Sequence, residues 1–367
     1  MMRIGVDGRE LAGGVRTGIG RYLVEVLRAA SHAGLECLVY GDARTRLPVT
    51  LPGVSLHRLN AGPTLWVDQV GLPRRLARDR IAVFLSPYFK GPLCAPCPVV
   101  VTVHDLMFIR YPGRRRPLYD LVMTSLARVY AGRAAAVITD SEYSKRSIVA
   151  MLGVSDAKVT VIPVALGAEF KPEPLTDTVR LRYGIVPPYI LSVGNFLPHK
   201  NVPRLIQAYA GLGRELKDTH QLVLAGGKRE HRNDHERLAA RLGVADRVLF
   251  PGFIDDENLP AIYSGCALFI LPSLEEGFGL PALEAMACGA PVVASNRAAI
   301  PEVVGDAAVL FDPESVSSIA EAMTMALSQQ DMRERMRRQG FARAGAFTLE
   351  RTAGRVVALL REVGLRR

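Results

Sequence analysis

Residues 271–295, LPSLEEGFGLPALEAMACGAPVVAS, join two apolar runs through a glycine-rich loop and a short helical pattern. The first run ends at Pro272, and Gly277 and Gly279 disfavour a regular helix before Pro281. Proline suits the first helical position because its missing N–H would have no partner there. The order strand, loop, helix, strand is that of a parallel βαβ unit, so this stretch predicts an α/β fold.

Two carboxylates interrupt this apolar stretch. Glu276 lies in the predicted loop and Glu284 in the predicted first turn of the helix, where the helix dipole stabilises anions. One interpretation is that the two acids only cap the helix and complement its dipole. The other is that they bind hydroxyl groups of a ligand, because the N–H groups of Phe278, Gly279 and Leu280 form a site for phosphate or sugar oxygen.

The same alternation of apolar and amphipathic stretches continues along the whole chain. It predicts two doubly wound, Rossmann-like domains of about 170 residues each. The segment KPEP at 171–174 separates them. The predicted strands are residues 4–7, 35–40, 82–87, 99–103, 135–140 and 159–164 in the first domain and residues 189–194, 221–226, 248–251, 268–273, 291–295 and 308–311 in the second.

Composition excludes several classes of protein. The chain has 367 residues, of which 49% are hydrophobic, so it is not a disordered protein. No run approaches the roughly 18 to 20 apolar residues that span a bilayer, and the N-terminus enters a strand rather than a signal peptide. The five cysteines are scattered and odd in number, which does not suggest a disulfide framework. We therefore expect a cytoplasmic protein, or one that binds the inner face of the membrane peripherally.

The net charge of +10 is concentrated in the first half of the chain. Residues 1–170 carry 22 Lys and Arg against 13 Asp and Glu, whereas residues 171–367 carry 24 against 23. A nucleic-acid-binding protein would explain this charge. However, the basic residues are not interleaved with aromatic residues as single-strand binding platforms require, so we expect no nucleic-acid partner.

Three further loops follow predicted strands, where parallel sheets bind their ligands. The loop GGVRTGIGRY at 13–22 either brings backbone N–H groups to a phosphate or is only flexible. His104 ends an apolar strand and either binds a sugar hydroxyl and handles a proton or is satisfied by local backbone. Lys200 precedes a helix and either supplies charge to a diphosphate or is a surface lysine.

Taken together, these motifs resemble the retaining glycosyltransferases of family 4, which have the GT-B fold. The resemblance is carried by Glu276-x7-Glu284 within EGFGLPALEAMACGAPVVAS, by His104-Asp105, and by ITDSEYSK at 138–145. It covers essentially the whole chain.

Three short motifs resemble one branch of that family. DGR at 7–9, GIGRY at 18–22 and HDL at 104–106 are most similar to the bacterial O-antigen mannosyltransferases.

The resemblance also implies a domain organisation. Two Rossmann-like domains would face each other across a cleft. Residues 1–170 with 348–367 would form the acceptor-binding domain, and residues 171–347 the donor-binding domain.

The resemblance implies roles for individual residues. Glu276 would hold hydroxyls of the transferred sugar, and Glu284 the ribose of the nucleotide. Lys200 would neutralise the diphosphate, and His104 would meet the sugar. His104, Glu276 and Lys200 are the implied catalytic residues. The implied donor-binding residues are Thr17, Gly18, Asn195, Lys200, Gly226, Phe253, Glu276, Gly277, Phe278, Gly279, Leu280 and Glu284, and the implied acceptor-side or supporting residues are Asp105, Arg21, Ser141 and Arg146.

One position departs from the family pattern. Many members have Gly-Arg where this chain has Gly194-Asn195, so one cation of the diphosphate site is missing. Arg21 or Arg146 are candidates to replace it.

The implied activity is transfer of a hexose with retained anomeric configuration. The resemblance points to mannose from GDP-mannose, and to a saccharide or lipid-linked saccharide acceptor in O-antigen or lipopolysaccharide biosynthesis. Because the resemblance assigns Glu276 to hydroxyl binding, no carboxylate is left as a nucleophile, which favours attack on the face that the diphosphate leaves. No metal ion or other cofactor is expected. The alternative is a non-transferase nucleotide-sugar enzyme of the same fold, such as an epimerase.

The basic first domain suggests a membrane partner. With residues 348–367 it carries a net charge of +12, and the Arg run at 114–116 adjoins an amphipathic segment with apolar residues at 118, 122, 126 and 129. This pattern predicts peripheral contact with an anionic membrane. The alternative is a solvated run of charge.

Overall fold

The computed structural model describes residues 2–13, 18–48, 50–110, 117–227 and 229–366. The chain divides into a first unit, Met1–Ala165 with Thr348–Arg367, and a second unit, Leu166–Phe347. The predicted domain boundary, between residues 170 and 171, lies five residues after the observed one. The prediction also assigned residues 348–367 to the first domain.

The first unit is built on a parallel sheet. Within the described residues its seven strands are β1 Arg3–Asp7, β2 Glu36–Gly41, β3 Val54–Arg58, β4 Val83–Ser86, β5 Val99–Thr102, β6 Ala136–Thr139 and β7 Val159–Val161. They lie in the order β3-β2-β1-β4-β5-β6-β7. β4, β5 and β6 are buried on both faces, as the apolar runs predicted.

The second unit repeats this architecture. Its six described strands are β8 Tyr189–Gly194, β9 Gln221–Gly226, β10 Val248–Gly252, β11 Leu268–Leu271, β12 Val292–Ser295 and β13 Ala308–Phe311. Their order is β10-β9-β8-β11-β12-β13, and every pair is parallel. The predicted pair of Rossmann-like parallel sheets is therefore confirmed.

Helices connect the strands on both faces of each sheet. In the described part of the chain they are α1 Gly18–His32, α2 Thr64–Trp66, α3 Leu72–Arg78, α4 Met107–Arg110, α5 Pro117–Arg133, α6 Glu142–Leu152, α7 Asp177–Tyr183, α8 Val202–Ala210, α9 Arg214–Thr219, α10 Arg229–Arg241, α11 Leu259–Gly265, α12 Leu280–Ala287, α13 Ile300–Val304, α14 Val316–Ser328, α15 Gln330–Ala344 and α16 Leu349–Leu365. A π-helical turn, Val67–Gly71, joins α2 to α3.

The last helix, α16, belongs to the core of the first unit. Val356, Val357 and Leu360 are buried at helical spacing in the same apolar cluster as residues of α1. The Thr352 hydroxyl donates to the carbonyl of Pro163 at 2.8 Å. Burial of an aliphatic side chain contributes about 1.5 to 3 kcal/mol, so this face is sufficient to attach the helix.

Some elements are absent from the sequence prediction. The edge strand β3 is only partly buried, and the helices α4, α7, α9 and α13 are no longer than seven residues. Such short elements lack a long hydrophobic period, which is the signal on which the prediction depended. Within the described ranges, no helix has the length and hydropathy to cross a bilayer.

Candidate functional site

Two glycines bring the carboxyl ends of β8 and β9 together. Gly194 pairs with Gly226 in the strand register. Gly226 has φ 94°, and a Cβ atom built on it would lie 2.3 Å from the carbonyl oxygen of Gly194. Asn195, which follows Gly194 in the chain, is exposed, and its Oδ1 accepts a hydrogen bond from the N–H of Leu197 at 3.3 Å. The backbone of Gly194 and Gly226 therefore forms the surface at the carboxyl ends of these two strands.

Replacement of Gly226 by alanine is expected to lower the free energy of unfolding by roughly 3 kcal/mol, because left-handed strain and a backbone clash act together. Gly243→Ala is the matched control. Gly243 has φ 70° but no neighbour within 4 Å of a built Cβ, so it should lose only about 1 kcal/mol. Urea unfolding measures both values. Equal losses of unfolding free energy in the two variants would show that the close approach of Gly226 to the Gly194 carbonyl does not affect stability.

A largely buried ion pair lies beside these two glycines. The Nζ of Lys200 is 2.6 Å from the Oε1 of Glu276, and the two side chains are 14% and 7% exposed. The Ser273 hydroxyl donates to the same Oε1 at 2.6 Å. The stem of Lys200 covers Gly194, where a built Cβ would lie 3.6 Å from it. Lys200 and Glu276, to which the sequence resemblance assigned separate roles, are thus in direct contact.

The loops that carry this pair are held rigidly by buried polar contacts. The carbonyl of His199 accepts the N–H of Leu274 at 2.7 Å. The Asn201 side chain, 2% exposed, donates from Nδ2 to the carbonyls of Pro272 at 3.0 Å and Pro313 at 2.7 Å. The position of the ion pair is therefore set by the backbone of two loops.

Glu284 is held by a residue that the sequence did not identify. The Tyr263 hydroxyl, on α11, donates to the Oε2 of Glu284 at 2.9 Å. Tyr263 is fully buried, and its burial, followed by the charge of Glu284, raises its pKa well above the ordinary value. It therefore remains a phenol that can donate. The prediction that Glu284 lies in the first turn of its helix was wrong, because α12 begins at Leu280 and Glu284 lies in the second turn.

The N-terminus of α12 lies between the two acids along the chain. Gly279, with φ 104°, is the N-cap residue and supplies no side-chain cap. Pro281 is the second helical residue rather than the first, because Leu280 begins the helix. The first N–H groups of a helix have no intrahelical acceptor, so they can bind an anion. The Phe278 ring packs edge to face against Phe347 at 5.7 Å and fixes the loop before the helix.

The remaining predicted donor-binding residues lie in different places. Gly277 belongs to the loop before α12, and Phe253 follows β10 with 74% of its surface exposed. Gly18 is the first residue of α1. Thr17 lies outside the described residues. The structure thus brings the second-unit residues to the carboxyl edge of one sheet, as expected for a parallel fold.

The first unit carries a separate polar cluster around His104. The Nδ1 of His104 is 2.8 Å from the Oδ2 of Asp140, which follows β6 and is buried. The Ser144 hydroxyl donates to the carbonyl of His104 at 3.2 Å. Burial lowers the pKa of His104, but Asp140, with a smaller contribution from Asp105, outweighs it and raises that pKa. Asp140 therefore orients the ring and favours its protonated form.

Asp140→Asn is expected to lower the pKa of His104, because burial is then opposed only by the smaller contributions of Asp105 and the Pro87 backbone. A folded-state pKa that is raised stabilises the protein at low pH. The loss of stability in the variant should therefore be largest below about pH 6.5 and shrink as pH rises through the raised pKa of His104.

Imidazole NMR titration and urea unfolding at several pH values test this expectation. Asp156→Asn, at an exposed carboxylate that pairs with Lys145, is the control and should leave His104 unchanged. An unchanged pKa in Asp140→Asn would contradict the proposed coupling.

Tyr22 lies next to His104 and was not selected from the sequence, although it belongs to the GIGRY motif. The two rings meet edge to face at 6.3 Å. Burial raises the pKa of Tyr22, and Thr102 partly offsets this effect. The Tyr22 ring therefore covers one side of the His104 imidazole.

Two of the predicted acceptor-side residues accept hydrogen bonds at the starts of helices. Asp105 accepts the N–H of Met107 at 2.9 Å, and Ser141 caps α6. Arg21 lies in the first turn of α1, and Arg146 is an exposed residue of α6. Their roles in binding stay predictions.

A second charged cluster follows β1. Arg9 contacts Asp7 through Nη2 at 2.6 Å and Nε at 2.9 Å, and Asp68 through Nη1 at 2.5 Å. Both carboxylates are buried. Burial lowers the pKa of Arg9, but the two carboxylates outweigh it and raise that pKa. The DGR motif therefore ties β1 to the helical segment at 67–71.

Among the described residues, no group of three or more His, Cys, Asp or Glu could hold a metal ion.

Two family models match the chain. The Glycosyltransferase Family 4 model matches residues 16–166, and the model of group 1 glycosyl transferases matches residues 184–343.

Curated relatives are similar over most of the chain. A serotype-specific mannosyltransferase (WbdA) from Escherichia coli is 32% identical over 268 residues, which is 70% of this chain and 32% of that protein. O-antigen chain mannosyltransferase B from Escherichia coli is 30% identical over 254 residues, which is 68% of this chain and 67% of that protein. The matched region thus spans about a third of the length of the first relative.

The fold is shared with solved structures. Sucrose-phosphate synthase from Thermosynechococcus elongatus has a TM-score of 0.77 and 22% identity over 99% of both chains.

Proposed function

The chain belongs to the glycosyltransferases of family 4, close to their O-antigen mannosyltransferase branch and with the GT-B fold, and from this premise we propose that it transfers a hexose from a nucleotide sugar to a saccharide acceptor. The observation that carries the proposal is the arrangement at α12. Glu276 precedes its uncapped N-terminus and Glu284 lies in its second turn, and each acid accepts a hydrogen bond from a neighbouring side chain.

Glu276 is proposed to bind hydroxyls of the transferred sugar. Its contacts with Lys200 and Ser273 both use Oε1, which leaves Oε2 to accept from a sugar hydroxyl. A carboxylate that already accepts two short, strong hydrogen bonds is a weak nucleophile. This supports attack by the acceptor on the face that the diphosphate leaves, with retention of configuration, rather than a glycosyl-enzyme intermediate.

Lys200 and the N-terminus of α12 are proposed to stabilise the departing diphosphate. The ammonium group has three N–H donors, of which the contact with Glu276 uses one. The helix N-terminus adds backbone donors and a positive dipole end. In this arrangement the diphosphate accepts the proton of the acceptor hydroxyl as the glycosidic bond forms.

The names of the relatives support a more specific proposal for the donor sugar and the acceptor. Both E. coli proteins are named as mannosyltransferases, and one as an O-antigen enzyme, which supports a mannosyl donor and an O-antigen-like acceptor. We propose GDP-mannose as this donor and a saccharide or lipid-linked saccharide as the acceptor. His104, oriented by Asp140, would bind a hydroxyl of the sugar. No metal ion is proposed to take part.

An assay of nucleotide sugars with and without a lipid-linked saccharide acceptor tests the function. We expect acceptor-dependent release of GDP from GDP-mannose, an α-anomeric proton in the NMR spectrum of the product, and full activity after treatment with EDTA. Conversion of the donor into another nucleotide sugar without acceptor would support an epimerase instead. A β-linked product would exclude retention.

We propose in addition that the first unit contacts an anionic membrane. Tyr119, Val122, Leu126 and Val129 recur on one side of α5 and are 38% to 58% exposed. The unit carries 27 Lys and Arg against 14 Asp and Glu, a net charge of +13, which complements anionic lipid. The predicted Arg run at 114–116 and the side chain of the predicted apolar residue Leu118 lie outside the described part of the chain.

Val122→Ser with Leu126→Ser is expected to weaken binding to phosphatidylglycerol vesicles roughly tenfold or more, because two apolar side chains no longer enter the interface. Co-sedimentation measures the effect. Leu181→Ser, at a 68% exposed residue of α7 in the second unit, is the matched control. Equal binding by the double variant and the control would contradict a contact through α5.

A further inference from the structure

A cavity of about 290 Å³ lies at the edge of the first unit, between the end of β3 and α3. Its walls include four arginines: Arg58 from the last position of β3, and Arg74, Arg75 and Arg78 from α3. No Asp or Glu is among the described residues that line it. A concave site with four cations and no lining carboxylate attracts an anion.

Two of these arginines have neither an ion pair nor a hydrogen bond among the described residues. Arg75 donates from Nε to Asp79 at 2.8 Å, and Arg58 donates from Nη1 to the carbonyl of Asp42 at 2.6 Å. For Arg74 and Arg78, which lie one helical turn apart and are exposed, the described part of the chain supplies neither a hydrogen bond nor a carboxylate. Their guanidinium groups therefore face the cavity side of α3 with their donors unused.

The cavity also has an aromatic wall. Trp66 lines it and is 46% exposed. Its indole lies over two glycines, because a Cβ built on Gly71 would be 3.5 Å from the ring and one on Gly62 would be 3.7 Å away. An exposed indole next to guanidinium groups suits a ligand that combines apolar C–H faces with a negative charge, as a phosphorylated sugar does.

We propose that this cavity, which we call the arginine cavity, binds a phosphate group carried by a saccharide. Guanidinium groups bind phosphate oxygens through paired N–H donors, and Trp66 stacks on the attached sugar ring. A helix C-terminus also favours basic residues, which would explain Arg75 and Arg78 in the last turn of α3. It does not explain a fourth arginine on β3, nor a half-exposed tryptophan over two glycines.

The arginine cavity is separate from the strand-end site around His104. Strands β2, β1 and β4 lie between β3 and β5 in the sheet. At the usual spacing of about 4.8 Å per strand, β3 and β5 are roughly 19 Å apart across the sheet. This distance suits an extended ligand whose charged end binds in the arginine cavity. The proposal does not depend on the proposed transferase activity.

Trp66 is the single tryptophan of the 367 residues, so its emission and its indole N–H resonance report on this cavity alone. The full chain is titrated with inorganic pyrophosphate, mannose 1-phosphate, and vesicles of phosphatidylglycerol or phosphatidylcholine, at low and high salt. We expect saturable, salt-sensitive changes of both signals with mannose 1-phosphate. A response to pyrophosphate alone or to anionic vesicles alone would assign the phosphate to a free anion or to a lipid headgroup instead of a sugar, and would overturn the saccharide part of the proposal.

Arg74→Gln with Arg78→Gln is expected to raise the dissociation constant roughly tenfold for each guanidinium group removed. Both side chains are exposed, so the double variant should keep the wild-type melting temperature. The matched control is Arg214→Gln with Arg237→Gln, which removes the same charge from exposed positions in the second unit. Absence of a signal change with every probe, or the same titration curve for the double variant and the wild type, would overturn the proposal. Failure of the transferase assay would leave it unaffected.

Discussion

Glu276→Ala is expected to lower the free energy of unfolding by roughly 3 to 5 kcal/mol and to reduce kcat/KM for sugar transfer by about 1,000-fold. The stability loss follows because Lys200, only 14% exposed, keeps its charge without a partner. The activity loss follows because the proposed hydroxyl contact and the geometry of Lys200 disappear together. Urea unfolding and initial-rate kinetics measure the two effects.

A double variant separates stability from catalysis. Lys200→Met with Glu276→Leu removes both charges and should return to within about 1 kcal/mol of the wild type, because apolar residues often replace a buried ion pair at little cost. Its kcat/KM should stay as low as that of Glu276→Ala. Wild-type stability of Glu276→Ala would show that the pair is loosely held. Recovery of activity in the double variant would show that neither residue acts on the substrates.

Glu284→Ala is expected to weaken donor binding roughly 10- to 100-fold, because a carboxylate that accepts hydrogen bonds from two ribose hydroxyls is lost. A ligand that binds only the folded state raises the melting temperature according to its affinity. A thermal-shift screen of nucleotide sugars should therefore show a donor-dependent rise for the wild type and little or none for the variant.

Two further variants define the role of Glu284. Tyr263→Phe removes only the hydroxyl that donates to Oε2, so we expect a smaller loss of affinity, roughly three- to tenfold. Glu321→Ala, at an exposed residue of α14, is the control and should respond as the wild type does. An equal thermal shift in Glu284→Ala and the wild type, or no stabilising donor at all, would refute the assignment of the nucleotide site.

Most of the architecture could be predicted because its signals are local. The apolar runs of β8, β9 and β11 are short and continuous, and each is followed by a glycine or proline that ends the strand. Parallel sheets are buried on both faces, so their strands are visible in the sequence as such runs. The edge strand β3 was missed because it is only partly buried and carries an alternating, half-polar pattern.

The partners of the candidate site residues could not be predicted in the same way. Tyr263 is 21 residues from Glu284, and Asp140 is 36 residues from His104. Neither distance is a helical or strand period, so no pattern in the sequence connects the two residues. Tyr263 resembles any other buried aromatic residue on a helix until the fold places its hydroxyl against a carboxylate.

By itself, the sequence determined the alternation of the longer helices with the buried strands, the glycine turns at the strand ends, and the spacing of Glu276 and Glu284, because each depends on residues close together in the chain. Only the tertiary structure decided that Lys200 pairs with Glu276 and that Arg58 joins Arg74 and Arg78 around one cavity. The physical reason is that parallel strands require crossover connections, so the residues that meet at a carboxyl edge are distant in sequence.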